Sequence, residues 1–115
     1  ILVTQAGPAT LLNHGEVFTA IHHTLQGVFP EVAPYTVPVE SFGETWGFIL
    51  ASLGPTPLDL IPKQVDSYLH CAGVEGLRFY DGIAHQGLFA LPLFLRQALE
   101  AESRVITEEH PVFVY

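Results

Sequence analysis

Methionine is missing from the sequence altogether, cysteine occurs once, and four basic residues stand against twelve acidic ones. Each shortage excludes something. A single cysteine, Cys71, cannot form an internal disulfide, and nothing else implies an oxidising compartment, so the cytoplasm is the expected location. A formal net charge of −8 argues against a nucleic-acid partner, because binding phosphates needs a basic footprint. No apolar run reaches the roughly 18–20 residues that a membrane span requires. No basic segment followed by an apolar run marks a signal peptide. Neither nucleic acid nor membrane is expected as a partner. The acidity suits a cationic small molecule, although on charge alone ordinary acidic solubility is the plainer reading.

What is present is a small α/β pattern in 115 residues. Ile1-Leu2-Val3-Thr4-Gln5 reads as a buried strand from the first residue, which Ala6-Gly7-Pro8 then breaks. With no methionine ahead of it, that strand leads us to expect a sequence that begins inside a domain. Asn13 and Glu16 form a candidate capping pair. Val17, Ile21, Leu25 and Val28 follow at helical spacing, predicting a helix over 14–29 that Pro30 stops. Val32 to Val39 reads as a second strand, at an edge or irregular because of Pro34 and Pro38. Glu40 to Thr45 reads as a loop, and Gly47 to Ser52 as a third, strongly apolar strand. Leu53 to Ile61 is a linker. Helices are expected from Pro62 to Gly73, around 83–88, and from Pro92 to about Glu102, with a short extended piece over 77–80 and a tail over 108–115. The order fits the end of an α/β sheet. A crossover makes the first two strands parallel, and the third pairs antiparallel, between or beside them. The first strand is expected to border a further strand, because so apolar an edge is unfavourable when open.

Three segments carry a chemical signal. Gln5 stands at the carboxyl end of a strand, where α/β folds bind ligands, and its amide both donates and accepts; the plainer reading has it satisfying backbone groups at a turn. Glu40-Ser41-Phe42-Gly43-Glu44-Thr45-Trp46 places two carboxylates and two large aromatics in one loop. Such a set suits an alkylammonium ligand: rings cover methylenes, and acids pair with nitrogens. A core tryptophan with two solvated glutamates is the alternative. In Leu77 to Pro92, His85 is either a general base or, as is more common, a packed and hydrogen-bonded histidine. His14, His22 and His23 share one predicted helix, but no cysteine or aspartate completes a metal set with them, so no metal is expected. His70-Cys71, at a helix end, reads as structural.

Taken together, Val3 to Ala9, Glu16-Val17-Phe18-Thr19, Tyr35-Thr36, Ser41-Phe42 and Thr45-Trp46-Gly47 resemble plant-type thermospermine synthases. Leu77 to Pro92 is similar to the spermidine synthase stretch at Leu77, Arg78, Tyr80, His85, Phe89, Ala90, Leu91 and Pro92, and Ala98-Leu99-Glu100 through Glu109 to the synthase C-terminus. The chain thus resembles the C-terminal part of a polyamine aminopropyltransferase. The resemblance implies the last three strands and C-terminal helices of a methyltransferase-like (Rossmann-type) α/β domain, in a mixed sheet whose final strand is antiparallel. It implies transfer of an aminopropyl group from decarboxylated S-adenosylmethionine, a co-substrate, to a polyamine, with no cofactor and in a homo-oligomer. Gln5, Phe42, Glu44 and Trp46 would line the acceptor pocket. The donor loop and the catalytic aspartate of the family match nothing here, so no catalytic residue is expected in this chain and no activity from it alone. The alternative is a non-catalytic assembly or cation-binding module. Phe42 stands where spermidine synthases carry the tyrosine of a Pro-Thr-Tyr motif, Glu44 replaces an aspartate, and Gln86-Gly87 replaces Arg-Ala. The missing hydroxyl at Phe42 favours spermidine over putrescine as the acceptor.

Overall fold

The structure, a computed structural model, describes residues 1–113. The elements run β1 (Leu2–Pro8), α1 (Phe18–Gln26), β2 (Glu31–Val39), β3 (Glu44–Ser52), α2 (Pro62–Cys71), α3 (Gly82–Phe89) and α4 (Leu93–Ala101), with short 3-10 turns at Glu40–Phe42 and Pro57–Asp59. The sheet order is β1-β3-β2, and both outer strands run antiparallel to β3. β1 and β2 are therefore parallel to each other, with the last strand inserted between them. Their carboxyl ends meet the start of β3 at one end of the sheet.

β1 is longer than the predicted 1–5. Gln5 lies opposite Phe48 and Pro8 opposite Trp46, so three steps along β1 match two along β3. The surplus residue is accommodated in a bulge where Gly7 takes φ 79°, a conformation open to glycine without a Cβ penalty. Ala6-Gly7-Pro8 thus bends the strand instead of ending it. β1 is also not buried throughout. Ala6, Gly7 and Pro8 are buried, while Leu2, Val3 and Gln5 are exposed. Among the described residues the outer edge of β1 pairs with no strand. β2 lies at the other edge, where Pro34 and Pro38 remove amide donors at little cost.

The first helix is shorter than 14–29. Residues 10–17 form turns closed by Asn13 N–H to the Thr10 hydroxyl (3.2 Å) and Glu16 N–H to Asn13 carbonyl (3.1 Å). Val17 occupies the N-cap of α1 with no side-chain cap, so Asn13 and Glu16 do not form the expected capping pair. The third strand begins at Glu44, three residues early, so Glu44 and Trp46 stand on a strand and not in a loop. Residues 77–80 form no strand. α2, α3 and α4 lie where periodicity and proline placed them. Of the C-terminal tail, Val114 and Tyr115 lie outside the described residues.

Residues directly opposite in an antiparallel pair share a face. One face of β3 carries Gly47, Ile49 and Ala51, all buried. It packs against α1 and α4 in a core of Ala6, Phe18, Ile49, Leu91, Leu95 and Leu99. The other face carries Glu44, Trp46, Phe48 and Leu50, all half-buried. α3 covers its β2 side, with α2 packed against α3: Tyr35 stacks on Phe48 at 5.4 Å and meets Phe89 at 5.2 Å.

Candidate functional site

Three of the four residues singled out from sequence fall on this second face. Gln5 is directly across from Phe48, and Trp46 and Glu44 follow along β3, about 7 Å between alternate residues of a strand. Phe42, from the 3-10 turn, lays its ring against the Trp46 indole with centroids 4.5 Å apart. Phe42 remains 46% exposed, so the aromatic pair is an accessible wall and not a core contact. Glu44 and Glu40 border a cavity of about 390 Å³ with Pro38, Val39, Gly43 and Thr45. The structure therefore brings Phe42, Glu44 and Trp46 together at the end of the sheet. Gln5 shares their face but is exposed, and stands beside Phe48 on the far side of the bulge.

The chemistry of these groups is limited and specific. An ionised carboxylate only accepts hydrogen bonds, so Glu44 and Glu40 suit ammonium nitrogens. The indole nitrogen of Trp46 is buried and has no hydrogen-bond partner among the described residues. An N–H cannot meet an ammonium, so what Trp46 offers a cation is its ring face. Among the described residues, no group of three or more His, Cys, Asp or Glu is placed to hold a metal ion.

Sequence reasoning missed Asn13 at this site. Its side-chain amide donates to Glu44 Oε2 at 3.3 Å, joining the turn after β1 to the start of β3. Residues 31 apart give no local signal for such a pairing. A second cavity, of about 400 Å³, lies between β2, β3 and α3 and is walled by Tyr35, Leu50, Tyr80, His85, Leu88 and Phe89. Burial pushes the Tyr35 and Tyr80 phenols above their ordinary range, so both stay neutral donors. His85 is not free to act as a base. Its Nε2 faces the Pro57 carbonyl at 2.8 Å and must carry the proton, leaving Nδ1 to accept from the Tyr80 hydroxyl at 2.8 Å.

Over 114 residues the chain is 42% identical to a polyamine aminopropyltransferase of Hyperthermus butylicus, covering 98% of this chain and 36% of that protein. Over 115 residues it is 35% identical to a thermospermine synthase of Arabidopsis thaliana, covering 100% of this chain and 33% of that protein. Over nearly its whole length the chain is similar to polyamine aminopropyltransferases. It spans about a third of the length of the curated relatives it matches. No protein-family model matches the chain. A crystal structure of spermidine synthase from Thermotoga maritima superposes with a TM-score of 0.68 at 22% identity, covering 87% of this chain and 34% of that one. A spermidine synthase in complex with the transition-state analogue AdoDATO matches with the same score, over 32% of its length. These two likenesses establish the fold, the methyltransferase-like α/β arrangement expected from the motifs. In this chain the Phe42–Trp46–Glu44 corner stands at the end of the β1-β3-β2 sheet. No helix is long and apolar enough to cross a membrane among the described residues.

Proposed function

We propose that this chain forms the acceptor-amine side of an aminopropyltransferase, holding spermidine for conversion to thermospermine, or putrescine for conversion to spermidine. The observation that carries the reading is that Glu44 shares a sheet face with the Phe42–Trp46 ring pair and borders an accessible cavity at the carboxyl ends of two parallel strands. An alkylammonium ligand is apolar along its methylenes and cationic at its nitrogens. The rings cover the first and the carboxylates neutralise the second. Gln5, farther along the same face, offers an amide to a nitrogen at the other end of the chain.

In the reaction, an unprotonated amine attacks the aminopropyl carbon bonded to the sulfonium of decarboxylated S-adenosylmethionine. A C–N bond forms, the C–S bond breaks, and sulfur keeps the electron pair as neutral methylthioadenosine. The nitrogen then loses a proton. The sulfonium is its own leaving group, so no cofactor is needed, and the residues described here contribute orientation of the acceptor. The same reading places the natural protein in the cytoplasm as a homo-oligomer, which sedimentation would test.

Steady-state kinetics on the natural protein carrying this chain test the assignment, with donor and acceptor varied separately. Glu44→Gln keeps shape and removes charge. A charge-assisted hydrogen bond is worth about 1.5–3 kcal/mol, so kcat/KM for the acceptor should fall by roughly one to two orders of magnitude. The donor's KM should stay where it is. A rise in the donor's KM with the acceptor's unchanged would place this corner on the wrong substrate.

A further inference from the structure

We propose that Asn13 is a positioning residue for the acceptor: its side-chain amide holds the Glu44 carboxylate in the orientation that receives the ammonium. The inference rests on the reading of Glu44 given above and goes beyond it by naming what fixes that carboxylate.

The direction of the dependence comes from how each partner is anchored. Asn13 is held without Glu44. Its backbone N–H donates to the Thr10 hydroxyl, and its carbonyl accepts from Glu16 N–H. The turn it belongs to is pinned at both ends. Ala9 N–H donates to the Thr45 carbonyl at 3.0 Å, registering the turn against the first residues of β3. His14 Nδ1–H donates to the Thr10 carbonyl at 3.0 Å, and its ring rests on Phe94 of α4. Arg104, beyond α4, donates to the Gly15 and Glu16 carbonyls while paired with Glu102. Asn13 is thus a fixed donor. Glu44 is the follower, on the first residue of β3 beside the 3-10 turn, with a long side chain that otherwise samples several rotamers.

The amide is also not spent elsewhere. A side chain in this turn would ordinarily cap the helix that follows, yet α1 begins at Val17 with no side-chain cap. The polarity is unambiguous, because a carboxylate accepts and only the Asn13 Nδ2 donates. Oε2 is taken by Asn13, which leaves Oε1 for the cation. The bond is at the long end of the usual range and both residues are half-buried, so its contribution is moderate.

The experiment is a double-mutant cycle in the natural protein, with Asn13→Ala and Asn13→Asp made alone and with Glu44→Gln, each with a thermal melt. Asn13→Ala should lower kcat/KM for the acceptor about threefold to tenfold through KM, leaving kcat, the donor's KM and Tm near wild type. Asn13→Asp sets like charges together and should lower it further. In the Glu44→Gln background Asn13→Ala should cost nothing more, since the group it positions has lost its charge. If Glu44→Gln impairs acceptor use while both Asn13 variants do not, the positioning role is overturned and the reading of Glu44 survives. If Glu44→Gln is itself silent, both fall. Equal losses from Asn13→Ala in both backgrounds, or losses that follow Tm, would show a loop of general structural importance and would also overturn the proposal.

Discussion

His85 is tied at both ring nitrogens, to a carbonyl on one side and a phenol on the other, and its ring packs on Phe89 at 5.0 Å. The histidine therefore joins the Pro57 turn, residue 80 and α3. Replacing His85 with Leu keeps volume but strands the Pro57 carbonyl and the Tyr80 hydroxyl, each costing about 1–3 kcal/mol if left unsatisfied. The expected outcome is a clear loss of Tm by scanning calorimetry, with kcat retained at temperatures where the variant is folded. A collapse of kcat without loss of stability would restore the general-base reading. The sequence allowed both roles for His85, because a histidine's role is set by what its two nitrogens meet. Glu44, Trp46 and Phe42 were legible for a different reason: they lie within five residues of one another, so any backbone path keeps them close. Asn13 was not, since its partner lies across the sheet.

At the scale of elements, α2 and α3 meet at Gly82. A Cβ there would fall on the Pro62 backbone, carbonyl included, and nothing in that contact is a flexible side-chain end. Two side chains secure the start of α3: Asp81 accepts from Ala84 N–H at 2.9 Å, and Asp66 of α2 accepts from Gly82 N–H at 2.8 Å. Gly82→Ala should push the two helices apart and cost about 1–3 kcal/mol or more, the range for overpacking a tight contact. Denaturant midpoints would measure it. A midpoint like wild type would show that the helices part without penalty. The starts of α2 and α4 could be read directly, because proline fixes φ at the first turn and has no N–H to lose there. β1 misled for the opposite reason. Gly-Pro is a breaker by local propensity, but a bulge lets the pair stay in register with Trp46. Likewise, the apolar spacing from Val17 to Val28 overstated α1, since the turn before it is held by contacts with Arg104 and Thr10 that no periodicity reports.

For the whole molecule, acid should act in two steps. His22 on α1 is buried, with an Nδ1 that has no partner among the described residues. Burial first, and the neighbouring His23 second, hold its pKa below the ordinary value of 6.5. The unfolded chain therefore takes up a proton before the folded one does. Stability from this group is complete above about pH 6.5 and is lost as pH falls below it toward the folded pKa. Glu102 follows at lower pH. Burial alone would raise its carboxyl, but hydrogen bonds from Arg104 and Thr19 outweigh that and hold it below its ordinary 4.5. Its contribution is present above about 4.5 and is lost as pH drops through the folded value. Urea midpoints between pH 7.5 and 3 should show both falls. His22→Leu should remove the upper one and Glu102→Gln the lower one. An unchanged upper slope in His22→Leu would mean that other groups carry it.

By itself the sequence determined the three C-terminal helices, the likeness to aminopropyltransferases and the chemical character of the candidate site. Period, proline position and charge count act over a few residues, where the chain cannot separate what it joins. It also determined that β1 and β2 run parallel, since a helix between strands reverses direction once and returns. Only the tertiary structure decided that β3 enters between them, because pairing beside β2 and pairing between both satisfy the same alternation of residues. That insertion sets Ile49 and Gly47 under Phe18, turns Trp46 and Glu44 to the opposite face, and brings the turn after β1 against the start of β3. The Asn13–Glu44 contact exists because of that order of strands, and no property of either residue alone requires it.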